Sequence, residues 1–350
     1  MSIVIGIDPH KQTHTAIAID GGTGQVLGEL TVRARAPGFE RLVEWARGLE
    51  QDRTFALEDG RHVSGSLERH LLARGERSVR VPPRMMGLSR RADRVRGKSD
   101  PVDAEAVARA ALAHPDLPVA TLAGIERDIG LLVAHRESLV GERTERICKL
   151  RWLLHDIDPD LAPPLRTLDR FKALDRLHER LEEMEPTASV RICLELLARC
   201  RQITVRANEL EREITCLVQA QAPALLEIPG CGALTAAKIV AEVARVSRFP
   251  DEGHFARYAG TAPVPASSGA SHRHRFNRRG NRQLNAAMHR IAVTQLRIHQ
   301  PAQDYMAKKR SEGKSKTEAL RALKRQLTRV VFKTLTSIEQ PTDRLTAIAA

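Results

Sequence analysis

Ile3-Val4-Ile5-Gly6-Ile7-Asp8 decides the fold: four β-formers around one glycine, closed by a carboxylate, read as a buried strand that delivers an acid at its end. A polar turn follows, and Thr15 to Ile19 is again rich in β-formers, so the two runs form a hairpin. Thr54 to Leu57 reads as another short strand, closed by Glu58, and Val79 to Val81 as a later one that stops at a double proline. Between them Phe39, Leu42, Val43 and Ala46 recur at helical spacing. Strands alternating with helices as far as about Leu112 predict an α/β sheet domain.

Outward from that core the texture changes. From about Thr121 to Ala220 the chain reads as long charged helices, with Ile125, Ile129, Leu132, Val140, Ile147, Leu150 and Leu154 near one stripe. Val190, Leu194, Leu197, Leu210, Ile214 and Leu217 mark a second. Asp158-Pro159 and Pro163-Pro164 separate the stripes, which predicts an antiparallel helical hairpin or a dimerising coiled coil; a solvated helical spacer is the bland alternative. A third region opens with Ile228-Pro229-Gly230-Cys231-Gly232 before a helical run from Leu234 to Val246. Such a turn exposes helix-start amides that can seat a phosphate, as in a helix-hairpin-helix element; the other reading is an ordinary turn with Gly230 and Gly232 used for backbone shape.

The 350 residues predict two or three cores. Lys and Arg number 56 against 43 Asp and Glu, a formal charge of +13, which makes a polyanion, and by default nucleic acid, the expected partner. No apolar run approaches the roughly 18 residues of a membrane span, and the N-terminus has no secretory pattern, so a cytoplasmic, nucleoid-associated protein is expected. The five cysteines are scattered and form no CxxC pair, so they are expected to be reduced and mostly buried, with no zinc clasp. Aromatic residues make up 3% of the chain, too few for rows of stacked bases, which leaves Arg and Lys contacts to phosphate.

Four carboxylates stand where elements end. Asp8 and Glu58 close strands, and Asp100 and Asp103 lie one helical turn apart, so all four can converge on a hard divalent cation of the kind phosphodiester chemistry uses. Lys98-Ser99-Asp100-Pro101 also reads as a helix start with Asp100 as its N-cap, and Asp8 or Glu58 as turn or surface acids. Glu58 is followed by Asp59, which stands as the alternative ligand.

A second cluster follows Ser267-Ser268-Gly269. Arg273, Arg275, Arg278, Arg279 and Arg282, with His272 and His274 and no acid, form a phosphate-binding surface with a serine at its edge. Arginines beside a hydroxyl suit attack on phosphorus; a flexible basic loop is the bland alternative. Arg94, Arg96 and Lys98 extend the basic footprint. So does a C-terminal helix bearing Lys316, Arg321, Lys324, Arg325, Arg329 and Lys333 around a core stripe of Leu320, Leu323, Leu327 and Val330 or Val331. Asn285 and His289 are read as facing the basic side.

Taken in order, Gly6-Ile7-Asp8-x-His10-Lys11, Ala56-Leu57-Glu58, Lys98-Ser99-Asp100-Pro101-x-Asp103-Ala104, the Ile-Pro-Gly-x-Gly turn, and Ala262-Pro263 to Ser267-Ser268-Gly269 resemble the DEDD transposases of bacterial insertion sequences over nearly the whole chain. The resemblance implies a RuvC-like, RNase H-type domain (1–120), a helical coiled-coil region (121–220), and a mainly helical C-terminal transposase domain with a helix-hairpin-helix element (221–340), then a tail (341–350). It makes Asp8, Glu58, Asp100 and Asp103 a metal-binding tetrad for Mg²⁺, with Mn²⁺ as the alternative ion, and Ser268 the nucleophile, with Ser267 as the alternative. No nucleotide or organic cofactor is implied. The implied partners are double-stranded donor and target DNA, an element-encoded bridge RNA, and further copies of the chain as a homodimer assembling to a tetramer, with a composite site. Three other readings stay open: a Holliday-junction-type nuclease using water, a tyrosine recombinase using Tyr258 or Tyr305, and a non-enzymatic DNA-binding protein.

Overall fold

Strand β1 (Ile3–Pro9) is buried along almost its whole length because it lies in the middle of a sheet covered on both faces. The computed structural model describes residues 2–58, 61–82, 85, 99–115, 117, 119–120, 124–164, 166–265, 274–275 and 280–339. β2 (Thr13–Asp20) and β3 (Val26–Arg33) run antiparallel beside β1 as a meander, and β4 (Arg53–Glu58) and β5 (Ser78–Val81) run parallel to it on the other side. The order β3-β2-β1-β4-β5 makes one mixed sheet, the α/β domain expected from the sequence.

Period-two alternation divides β1 between two cores. Ile3, Ile5 and Ile7 join Phe55 and Leu57 of β4 beneath α1 (Ala36–Leu49), which brings Phe39, Leu42, Val43 and Ala46, and α2 (Arg61–Ala73), which brings Leu67 and Leu71. On the opposite face Val4, Ala56, Val79 and Val81 meet α3 (Asp100–Ala113) through Ala104, Val107, Ala108 and Ala111. Gly6 shares that second face. A Cβ placed on it would lie 2.1 Å from the Ala104 carbonyl oxygen and 2.4 Å from the Ala108 nitrogen, so glycine is what lets the helix backbone rest directly on the strand.

The chain divides into two compact units. One, residues 124–243 with 286–308, contains α4 (Ile125–Ile157), α5 (Phe171–Glu182), α6 (Ala188–Gln221), the single turn α7 (Pro223–Leu226) and α8 (Ala233–Val243). Arg136 of α4 pairs with Glu211 of α6, and Arg143 with Thr204, so sequence position rises on one helix as it falls on the other. The antiparallel hairpin is thus the arrangement present. Leu150, Leu154, Leu174, Leu177, Leu181, Val190 and Leu197 form its core where α5 folds in.

The other unit holds the sheet domain with residues 244–285 and 309–350. There α9 (Glu252–Tyr258), the β6 (Val264–Pro265) and β7 (His274–Arg275) ribbon, and α12 (Lys316–Glu339) follow the sheet in sequence. α10 (Arg282–Ile298) and α11 (Gln300–Ser311) complete the α-helices among the described residues. Glu252 binds Arg325 and Arg329, and Phe255 packs on Phe332, which holds α9 to α12. The expected C-terminal tail falls at 341–350, outside the described residues.

Gly6→Ala is expected to lose about 3 kcal/mol of unfolding free energy in urea titration, since backbone atoms on both sides cannot yield as a flexible side chain would. Gly141→Ala, in the interior of α4 where an added Cβ meets nothing within 4 Å, should gain about 0.5–1 kcal/mol instead.

Candidate active site

The alternation that puts Gly6 against α3 also puts Asp8 there, two residues on. In β4, Glu58 follows Ala56 on the same face, and the parallel register that pairs Ile7 with Leu57 sets Asp8 and Glu58 side by side at the strand ends. α3 supplies the other two acids from its first turn, immediately before the alanines that touch Gly6. The four carboxylates named from the sequence therefore lie about the ends of β1 and β4 and the start of α3, all near enough to act on Asp8. Among the described residues Asp8 and Asp100, with His10, bring ligand atoms within 4.8 Å of one another. Ser99, not Asp100, occupies the N-cap position of α3, with extended backbone and no side-chain capping bond. This corrects the reading of Asp100 as cap: it lies within the first turn, where its charge is favoured by the helix dipole and its carboxylate is left for other work.

Asp8 and Asp103 are buried, whereas Asp100 is exposed. Burial is the main force that pushes the Asp8 carboxyl up to about 6 from 3.8; His10 pulls the other way, and Glu58, Asp103 and Asp100 each add repulsion. Its Oδ2 is buried and finds no hydrogen-bond partner among the described residues. A buried anion without a partner is costly, and here it faces three more carboxylates, so the donor set fits a hard divalent cation. His10, which the motif carried without a role, stands at the mouth of the cluster. Its Nδ1 is 3.6 Å from Asp8 Oδ2 and its Nε2 is 3.8 Å from Asp100 Oδ1.

The serine-bearing segment is described only at its base. Ser267, Ser268 and Gly269 lie outside the described residues, as do Arg273, Arg278, Arg279, Arg94, Arg96, Lys98 and Asp59; Arg275 is placed by its backbone, opposite Val264 in the β6–β7 ribbon. Arg282 is exposed at the start of α10. The base itself is tightly held. A Cβ on Gly280 would sit 2.3 Å from the Gly260 Cα, so the two ends of the segment touch. Asn281 donates its backbone N–H to the Tyr258 carbonyl at 2.6 Å and caps α10 by accepting from the Leu284 N–H at 2.8 Å.

Asn285 and Lys324 are functional candidates that sequence reasoning misplaced. The Asn285 amide donates to the carbonyls of Ala259 (2.8 Å) and Gly260 (3.0 Å), and its Oδ1 accepts from Lys324 Nζ at 2.5 Å. Lys324 is therefore buried and does not extend the surface basic footprint; burial pulls its ammonium down to about 8. The buried stripe of α12 is Ala319, Leu323, Lys324, Leu327, Thr328, Val331 and Leu335, and Val330 faces out.

At the third motif, Gly230 has φ +80° and packs where a Cβ would meet Thr294 and the Ile291 carbonyl at 3.1–3.2 Å, so backbone shape and packing account for it. Gly232 is open, and its carbonyl accepts the N–H groups of Thr235 and Ala236 as α8 begins. Of the cysteines, Cys193, Cys200 and Cys231 are buried and Cys148 and Cys216 exposed, all unpaired. No helix among the described residues is long and apolar enough to cross a membrane.

Comparison with known proteins agrees with this arrangement. A family model of the DEDD type, described as Transposase, matches residues 5–159, and a second, described as Transposase IS116/IS110/IS902 family, matches residues 222–307. The 44.8 kDa protein of insertion element IS116 of Streptomyces clavuligerus is 29% identical over 379 residues, spanning 94% of each chain. The 43.6 kDa protein of IS110 of Streptomyces coelicolor is 28% identical over 67% of this chain and 70% of its own. The 42 kDa protein of IS900 of Mycobacterium paratuberculosis is 24% identical over 93% and 94%. Among solved structures, T. thermophilus RuvC in complex with a Holliday junction substrate covers 33% of this chain and 95% of its own at 13% identity and a TM-score of 0.27, a likeness too slight to argue from. The carboxylate-edged sheet and the C-terminal helical segment are thus the two matched parts of a DEDD transposase. The chain belongs to the IS116/IS110/IS902 family of insertion-sequence transposases.

The Asp8 shift has a measurable consequence. Its folded pKa of about 6 exceeds the usual 3.8, so between those values the folded protein binds more protons than the unfolded one, and stability falls as pH rises through that window. Without divalent metal, Asp8→Asn should therefore melt higher than wild type above about pH 6 and equal to it below about pH 4. Adding Mg²⁺ should raise the wild-type Tm and leave the variant unchanged, as differential scanning fluorimetry would show.

Proposed function

We propose that this transposase is a DNA recombinase that cuts and rejoins strands through a covalent serine–DNA intermediate, with Asp8, Glu58, Asp100 and Asp103 as its Mg²⁺ ligands and Ser268 as its nucleophile. One observation supports the reading: in a chain of this family, Asp8 has a buried Oδ2 with no hydrogen-bond partner among the described residues, and Glu58, Asp103 and Asp100 are near enough to raise its pKa. A divalent ion bound there supplies charge neutralisation at the scissile phosphate. The Ser268 hydroxyl loses its proton as its oxygen bonds to phosphorus, and the phosphorus–oxygen bond to one strand end breaks. The strand end leaves as a hydroxyl, and its later attack on the phosphoserine reverses the process on a new strand. Because one phosphoester replaces another, rejoining needs no nucleotide cofactor.

Arg273, Arg275, Arg278, Arg279 and Arg282, with Arg94, Arg96 and Lys98, serve as phosphate contacts for donor and target DNA, and the excess of 13 positive charges supports a polyanionic partner. Gly232 with the first amides of α8 adds a phosphate seat, for which its open side leaves room, and Gly230 serves it by shaping the turn. An element-encoded bridge RNA selects the sites, and the working assembly is a homodimer paired into a tetramer, with acids and serine drawn from different copies.

The decisive experiment is adduct formation on insertion-element ends, read by denaturing gel and mapped by mass spectrometry. Wild type should give a denaturant-stable adduct at Ser268 that requires Mg²⁺. Ser268→Ala should lose adduct and recombination but bind DNA, Ser267→Ala should retain some of both, and Asp103→Asn or Glu58→Gln should lose both with DNA affinity preserved. Cleavage without any adduct would point to water as nucleophile, and an adduct at Tyr258 or Tyr305 to a tyrosine recombinase; either result overturns the reading.

The arginine assignment has its own test. Replacing Arg282 or Arg275 with Gln should weaken DNA binding across unrelated sequences and make the slope of log affinity against log salt shallower by about one. An unchanged slope for every arginine of the set would remove the segment from the DNA interface.

A further inference from the structure

We propose that His10 is a nitrogen donor to the metal ion held by Asp8 and Asp100, and that it makes the centre favour Mn²⁺ over Mg²⁺. This rests on the carboxylate metal centre of the proposed function and adds to it a residue outside the four acids. His10 lies in the tight turn between β1 and β2, where its N–H donates to the Thr13 carbonyl at 2.9 Å, so the hairpin fixes its backbone two residues beyond Asp8. Its ring is 49% exposed and stands between a carboxylate at 7% and another at 54%, at the boundary between the buried floor of the site and solvent.

The separations are too long for hydrogen bonds and leave room for an ion beside the groups. An N–H···O bond spans about 2.7–3.2 Å, and both of His10's separations, 3.6 and 3.8 Å, exceed it. Two ligand atoms on one ion, each about 2.1 Å from it, lie roughly 3 to 3.5 Å apart as neighbours and up to about 4.2 Å apart when opposite. The two separations start from different ring nitrogens, so one ion takes only one of these nitrogens. One ligand atom from each of Asp8, His10 and Asp100 falls within 4.8 Å of the others. The Asp8 oxygen that His10 faces is the buried Oδ2 that finds no hydrogen-bond partner among the described residues.

Chemistry gives the consequence. Mg²⁺ takes oxygen donors and water and yields its waters reluctantly, whereas Mn²⁺, although the weakest binder of the first-row transition series, accepts a nitrogen donor more readily than Mg²⁺ does. Oxygen ligands alone leave little preference between Mg²⁺ and Mn²⁺, and one imidazole added to them shifts the balance toward Mn²⁺.

The test uses the full-length protein without nucleic acid, in a buffer free of nitrogen donors, with Mn²⁺ and Mg²⁺ as the probes. Pulsed EPR of the Mn²⁺-loaded wild type should show modulation from a directly bound nitrogen, and His10→Gln should lose it. Calorimetry should find Mn²⁺ bound about tenfold more weakly by His10→Gln, with Mg²⁺ affinity changed less than twofold. A wild-type spectrum without nitrogen modulation, a signal that survives in His10→Gln, or equal weakening for both ions would overturn the proposal. Asp8→Asn separates this from the reading beneath it. If that variant binds Mn²⁺ as wild type does, the carboxylate centre itself is wrong, whereas loss of binding in Asp8→Asn with no effect of His10→Gln refutes only the histidine.

Discussion

The contact between the α3 backbone and β1 at Gly6 is the constraint on which the site depends. A helix normally packs on a sheet through its side chains, with the two backbones about 10 Å apart. Here the alanines of α3 and the missing side chain of Gly6 let the Ala104 carbonyl and Ala108 nitrogen press onto the strand. Asp103 and Asp100 precede that contact on the helix and Asp8 follows it on the strand, so one short approach sets the separation between acids more than ninety residues apart in sequence. A larger residue at position 6 would lift the helix and open the cluster without touching a carboxylate.

The same closeness makes the site electrostatically unfavourable on its own. Asp8 is buried, repelled by three neighbours and left with a bare oxygen, and what holds it in place is the strand: every residue of β1 from Ile3 to Pro9 is paired with β2. The cost of the charges is carried by the hydrophobic cores on the two faces of the sheet, and binding a cation would relieve it. Around the serine-bearing segment the pattern differs. There a buried lysine, two asparagines and paired glycines hold the two ends of the segment together. With the ends already together, the entropy of closing the segment is lost during folding.

How far the sequence could be read follows from which signals are periodic. β1, β4 and β5 showed as apolar runs, and Asp8 and Glu58 showed because a carboxylate stops each of the first two. β3 did not: it is an edge strand, mostly exposed and interrupted by Gly28, so its hydrophobic alternation is weak. α5 was hidden by its neighbours, since Pro163 and Pro164 drew the whole stretch into a breaker although Leu174, Leu177 and Leu181 lie at helical spacing. Lys324 and Asn285 were misplaced because residue type outweighed position. Lys324 follows Leu323 and lies three residues before Leu327, within the buried arc of α12, and its partner is a neutral amide that no charge pattern reveals. His10 stands in a motif without a role because the metal site reads from the sequence as carboxylates alone, and its neighbours Asp8 and Asp100 lie on different elements.

The distribution of charge bears on the order of events at the site. A net charge of +13 attracts DNA over a distance of about a Debye length, roughly 8–10 Å at ordinary salt, while the Asp8 cluster repels phosphate at close range. In the proposed function the arginines therefore hold DNA whether or not metal is present, and the last few ångströms of approach to the acids require a cation between carboxylate and phosphate. Affinity and chemistry are then separable by construction: salt weakens the first through the arginines, and chelation removes the second through the acids. A chain whose single site both attracted and cut DNA would lose the two together. Here they are assigned to different sequence clusters, one of arginines between residues 273 and 282 and one of acids between 8 and 103, so each can be removed while the other is measured.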